Sequence, residues 1–191
     1  MRLLLSAFFL TGLAMSVQAA KPTPRPLEPF SAADAISNAP IDLASLKGRV
    51  LFVEFLHTTC VHCQNTAKML ARLQAEYGPR GFQAVGYAFN DEAQGHPPVV
   101  AEFKRITGAA FPIGIVSKDK ALGYLGVSVM ARWGVPQVMV VDAKGVVRAQ
   151  SPDTGSVELS SEQYVRQLIE SLLTEAGGSK AAAPKAATTK K

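Results

Sequence analysis

Seven consecutive residues, Val50-Leu51-Phe52-Val53-Glu54-Phe55-Leu56, carry six large apolar side chains and a single carboxylate. A strand that faces water on one side alternates apolar with polar residues, and one covered on both faces does not, so this run predicts a central strand. The rest of the chain supplies the cover. Cys63, Ala67, Leu70, Leu73 and Tyr77 recur at helical spacing and end at Gly78-Pro79, which predicts an amphipathic helix with a clean stop, and Thr58 and Thr59 stand where its cap belongs. Phe82–Phe89 reads as a second strand, Pro97-Pro98 opens a helix carrying Val99, Val100, Phe103 and Ile106, and Phe111–Val116 reads as a short strand. Val138–Val141 and Val146–Ala149 flank a turn at Asp142-Ala143-Lys144-Gly145, and a last helix runs from Ser161 to about Ala176 with Tyr164, Leu168 and Leu172 on one face. Strand-helix-strand-helix followed by hairpin and helix is the order of an α/β three-layer fold.

The two ends do not belong to that core. Arg2, the uncharged run Leu3–Val17 and the small residues at Val17-Gln18-Ala19 read as a signal peptide cut after Ala19, since the run is short of the roughly 20 residues a spanning helix needs. The expected product is exported, soluble and periplasmic, without stable membrane insertion. Residues 20–29, with Pro22, Pro24, Pro26 and Pro29, read as an extended linker. Residues 177–191 begin Gly-Gly-Ser, hold no acid and read as a disordered basic tail, leaving 30–176 as the folded domain. Arg2 and the tail's four lysines account for the whole net charge of +5, so residues 20–176 are neutral. A neutral body lacks the basic face that nucleic-acid binding requires.

The chemistry lies between the first strand and its helix, in Cys60-Val61-His62-Cys63, which holds the only two cysteines of the chain. That spacing permits a short disulfide. Cys60 is placed at the helix N-terminus, where unpaired amides and the macrodipole stabilise a thiolate, which makes it the attacking thiol and Cys63 the resolving one. A bridge across so small a loop removes little chain entropy, which argues against a mere staple. A structural zinc site has too few partners here, with only His57, His62 and His96 besides the pair.

Residues 30–176 resemble the thioredoxin superfamily, in particular the TlpA/ResA-like exported thiol-disulfide oxidoreductases. The resemblance rests on Leu43–Val50 leading into the strand, the CxxC at a strand-to-helix junction, an inserted unit around Phe82–Thr107, and Trp133-Gly134-Val135-Pro136 before a strand that ends at Asp142 and a Gly145 turn. It implies a thioredoxin-like fold with a central mixed sheet. It also implies that Pro136 is a cis-proline facing the disulfide and that Val135 offers its backbone to an extended substrate segment. Thr59 stands where the family usually carries tryptophan.

Glu54 matches the family's buried carboxylate, which moves a proton to or from the resolving thiol, and burial tunes a carboxyl for such work. His62, inside the motif, is expected to stabilise the Cys60 thiolate and hence the reduced form. His57 is given no role. The function that follows is disulfide exchange with protein cysteines, without a cofactor or a bound metal, and with a redox partner that recycles the pair. The alternatives are a copper-binding chaperone on the same fold, which usually separates its cysteines by three residues, and a peroxiredoxin-like peroxidase, whose upstream proline is replaced here by Glu54.

Overall fold

A computed structural model describes residues 20–181, with side chains as far as Gly177, so the expected signal segment and most of the basic tail lie outside the described residues. In chain order the elements are β1 (Arg25–Pro26), β2 (Ser31–Ala33), β3 (Pro40–Asp42), β4 (Val50–Leu56), α1 (Val61–Tyr77), β5 (Phe82–Ala88), α2 (Pro97–Thr107), β6 (Ile113–Ile115), α3 (Lys118–Leu125), β7 (Gln137–Val141), β8 (Val146–Gln150) and α4 (Glu162–Ala181).

The six-stranded sheet has the order β1-β8-β7-β4-β5-β6. β4 lies at its centre, parallel to β5 and antiparallel to β7, so the sheet is mixed. All seven β4 residues are buried, as the unbroken apolar run requires. Its side chains alternate between two cores. Val50, Phe52 and Leu56 meet the buried faces of α1, α2 and α4 on one side, and Leu51, Val53 and Phe55 meet α3 and the N-terminal segment on the other.

Several details differ from the sequence expectations. The proline-rich leader is not a detached linker: β1 is an antiparallel edge strand on β8, and the Leu27 amide donates to the Gly145 carbonyl. Proline is tolerated there because an edge strand needs partners on one side only. Phe30 secures the segment by packing edge-on against Phe55 and Tyr87, with ring centroids 5.4 and 4.8 Å apart. Burying such a ring is worth about 1.5–3 kcal/mol, comparable to the cost of ordering one or two residues. α3 is not predicted by the hydrophobic spacing, although Ser117 caps its start and Gly126 closes it with φ +75°. α4 runs through the glycine pair at 177–178 to Ala181, because glycine weakens a helix by only about 1 kcal/mol without forbidding it. Its inner face is Val165, Ile169, Leu172 and Leu173, while Tyr164 is 42% exposed. The stripe is thus rotated by one residue, which puts the more apolar pair inward and leaves the phenol to water.

Candidate active site

β4 ends at Leu56, and the chain turns through His57-Thr58-Thr59 before α1 begins. Thr58 does not cap the helix. Its amide donates to Asn90 Oδ1 and its hydroxyl accepts from Asn90 Nδ2, both at 3.0 Å, which ties the turn to the segment after β5. Gln64 Nε2 fixes the same turn by donating to the Thr58 carbonyl at 3.0 Å. The N-cap is Cys60 itself, in extended conformation, with Sγ accepting the Cys63 amide at 3.5 Å. A sulfur in that position meets the positive end of the helix, which favours a thiolate.

The two cysteines are both free thiols in unequal surroundings. Cys60 is partly exposed and Cys63 is fully buried. Burial pushes the Cys63 thiol far up, and the neighbouring Glu54 carboxyl acts in the same direction, against a smaller opposing pull from the His57 backbone. Glu54 shares the β4 face of Phe52 and Leu56, the face that Cys63 and α1 cover. It is fully buried, neither carboxyl oxygen has a hydrogen-bond partner among the described residues, and burial, with some help from the Cys60 side, holds its pKa well above the usual carboxylate range. Burial thus biases both neighbours, the Glu54 carboxyl and the Cys63 thiol, toward their protonated forms.

The Val135–Pro136 peptide bond is cis. The Cys60 thiol points at this loop and donates to the Val135 carbonyl at 3.8 Å. His62 is exposed, and its ring makes no hydrogen bond among the described residues. It lines, with Val135, Pro136, Thr154–Val157, Ser160 and Ser161, a groove of about 660 Å³. The imidazole thus faces the groove and is not bonded to Cys60. His57, which carried no expectation, packs against Phe89 and Trp133 with centroids 4.5 and 6.0 Å away. Burial lowers its pKa, opposed by Glu92 and Asp91.

Two functional candidates escaped the sequence reading. Asn90 and Gln137 are buried amides that act through hydrogen bonds to residues distant in sequence, and only unusual burial of a polar residue could have marked them. Among the described residues no three His, Cys, Asp or Glu side chains converge as a metal-ligand set, and no helix is long and apolar enough to cross a membrane.

A family model described as Redoxin matches residues 24–168. The chain is similar to Protein DipZ of Mycobacterium bovis and of Mycobacterium tuberculosis, 28% identical over 137 residues in each case. That match covers 69% of this chain but 18% of either relative, so the chain spans less than a fifth of the length of these curated proteins. Among solved structures it is similar to a thioredoxin-family thiol:disulfide interchange protein from Chlorobium tepidum TLS, at 26% identity and TM-score 0.62, over 81% of this chain and 99% of that one. The fold also matches a secreted disulfide oxidoreductase of Mycobacterium tuberculosis, at 19% identity and TM-score 0.58, over 75% of this chain and 96% of that one. A third likeness is the thioredoxin domain of a Bacteroides vulgatus thiol-disulfide oxidoreductase, at 16% identity and TM-score 0.62, over 78% and 99% of the two chains.

Proposed function

The chain belongs to the redoxin family, and from that membership we propose that it is a thiol-disulfide oxidoreductase that exchanges two electrons with protein cysteines through Cys60 and Cys63. The observation that carries the reading is the inequality of the two thiols: one partly exposed at a helix N-terminus and bonded to the Val135 carbonyl, the other buried beside a carboxyl without a hydrogen-bond partner among the described residues.

In the reducing direction the Cys60 thiolate attacks a substrate disulfide, forms a mixed disulfide and releases one substrate thiolate. Cys63 then gives up its proton and attacks Cys60 Sγ, which releases the second substrate thiolate and leaves a Cys60–Cys63 disulfide. The oxidising direction is the same sequence reversed. Glu54 is assigned to hold and return the Cys63 proton, and the Val135–Pro136 edge to pair with an extended substrate segment, a strand-addition mode of binding. A second redox protein resets the pair. The signal-like segment at residues 1–19 supports export to the periplasm, and the secreted relative agrees with it.

The test is exchange itself. The reduced protein, mixed with a disulfide-bearing protein substrate, should convert to the Cys60–Cys63 disulfide in step with substrate reduction, and its equilibrium with glutathione gives the potential and so the preferred direction. Tight stoichiometric Cu(I) binding with negligible exchange would instead favour a copper chaperone.

His62 provides a first prediction. The oxidised pair has no thiolate, so an imidazole near the helix start can favour only the reduced form. His62→Pro should therefore make the potential more negative, by on the order of 15–30 mV given that the ring is exposed, where 30 mV is about 1.4 kcal/mol for this couple. Proline suits the first helical turn, so the fold should tolerate it. A glutathione titration reads the shift, and a potential that stays constant or moves upward removes His62 from the tuning of the pair.

A further inference from the structure

The first residue of β7, Gln137, is fully buried beneath the groove and pairs in register with Phe55. Its Nε2 faces three carbonyl oxygens, those of Gly134 at 2.9 Å, Asp153 at 2.7 Å and Pro152 at 3.2 Å. With three acceptors around one end, only the amide nitrogen can occupy that end. The price is at the other end, where Oε1 is buried without a donor among the described residues. An unsatisfied buried acceptor is unfavourable, so the donor end is what holds the residue in place.

Those three carbonyls directly adjoin two of the segments that line the groove. Gly134 directly precedes Val135, and Pro152-Asp153 leads directly into Thr154–Val157. The two segments also touch directly, since the Gly134 amide donates to the Asp153 carbonyl at 2.9 Å. A Cβ at Gly134 would come within 3.1 Å of the Thr154 carbonyl oxygen, so the backbones approach as closely as glycine allows.

We propose that Gln137 is a positioning residue for substrate binding: it locks the Val135–Pro136 edge and the Pro152–Val157 wall into one rigid cleft, presented to an extended cysteine-bearing segment whose sulfur meets Cys60. This rests on the disulfide-exchange reading and adds to it the side chain that fixes the cleft. Gln137 touches neither thiol, so it acts on affinity for extended chains and not on thiol chemistry. Rigid walls spare a bound segment part of the ordering cost of binding.

The experiment compares two probes on the same protein: an extended peptide whose single cysteine is blocked as a thionitrobenzoate mixed disulfide, and the small aromatic disulfide of thionitrobenzoate, which needs no cleft. Gln137→Met keeps length and volume but removes the donor. It should slow reaction with the peptide tenfold or more, through weaker apparent affinity and not through the limiting rate. Reaction with the small disulfide and the glutathione potential should stay within twofold and a few millivolts of the wild type. An unchanged peptide rate, or equal loss toward both probes, overturns the proposal. Should Gln137→Met fail to fold, Gln137→Asn keeps the amide but withdraws it from Pro152 and Asp153, and is read against the same two outcomes. If the wild type itself reacts with neither probe, it is the disulfide-exchange reading that fails.

Discussion

Cys63→Ala is expected to leave the protein covalently attached to its substrates, because the buried thiol is the one that resolves the mixed disulfide. Cys60 is partly exposed, caps the helix and points at Val135, a residue of the groove's lining, so it can meet a substrate sulfur. Cys63 is fully buried and held protonated by its surroundings, so it can meet only Cys60. Removing Cys63 therefore blocks release and not attack. Non-reducing gels of cells expressing the Cys63→Ala protein should show adducts that collapse with reductant, with turnover of a protein substrate falling by at least about 10³-fold, as expected when one member of a two-step pair is lost. Cys60→Ala should show neither adducts nor turnover. Equal trapping by both variants, or trapping by Cys60→Ala alone, would reverse the assigned roles.

Glu54→Gln carries the second large effect, on rate and on stability together. An amide cannot exchange a proton, so resolution by Cys63 should slow by on the order of 10²-fold while attack by Cys60 changes little. Stopped-flow mixing with a model disulfide separates the two steps, and an unchanged resolution rate from pH 5 to 9 would return Glu54 to a purely structural part. The stability effect has a definite sign. The folded carboxyl titrates well above the usual glutamate value of 4.5, so between those two values the unfolded chain has released a proton that the folded protein keeps. Its stabilising contribution is complete below pH 4.5 and is lost as pH rises toward the folded pKa, with a limiting slope of about 1.4 kcal/mol per pH unit. Glutamine has no such slope. Urea unfolding of the reduced protein across a pH series starting at 4.5 should show the wild type losing stability relative to Glu54→Gln as pH rises, and parallel profiles would mean that the fold does not raise the Glu54 pKa.

What could be read from the sequence is what short stretches of chain fix locally. The unbroken run Val50–Leu56 required a strand covered on both faces, and the spacing from Cys63 to Tyr77 required the helix that follows, so the CxxC had to lie at their junction. Even at that range the details depended on neighbours: Thr58, a good cap by residue type, is engaged by Asn90, and the cap passes to Cys60. The docking of the proline leader is settled in the same way, since whether an extended segment is free or docked depends on an exposed strand edge that β8 supplies more than a hundred residues later. Val135 stands 75 positions from Cys60, yet its carbonyl receives the Cys60 thiol. No periodicity spans such a separation, and the resemblance to a known family alone pointed to that loop. Gln137 carried no signal at all, because a glutamine at the start of a strand is unremarked until its neighbours prove to be three carbonyls in a sealed space. Hydrophobic period and capping act over one or two turns, whereas the burial of Glu54 against Cys63 and the closing of the groove over Gln137 follow from sheet order, which only the packed chain decides.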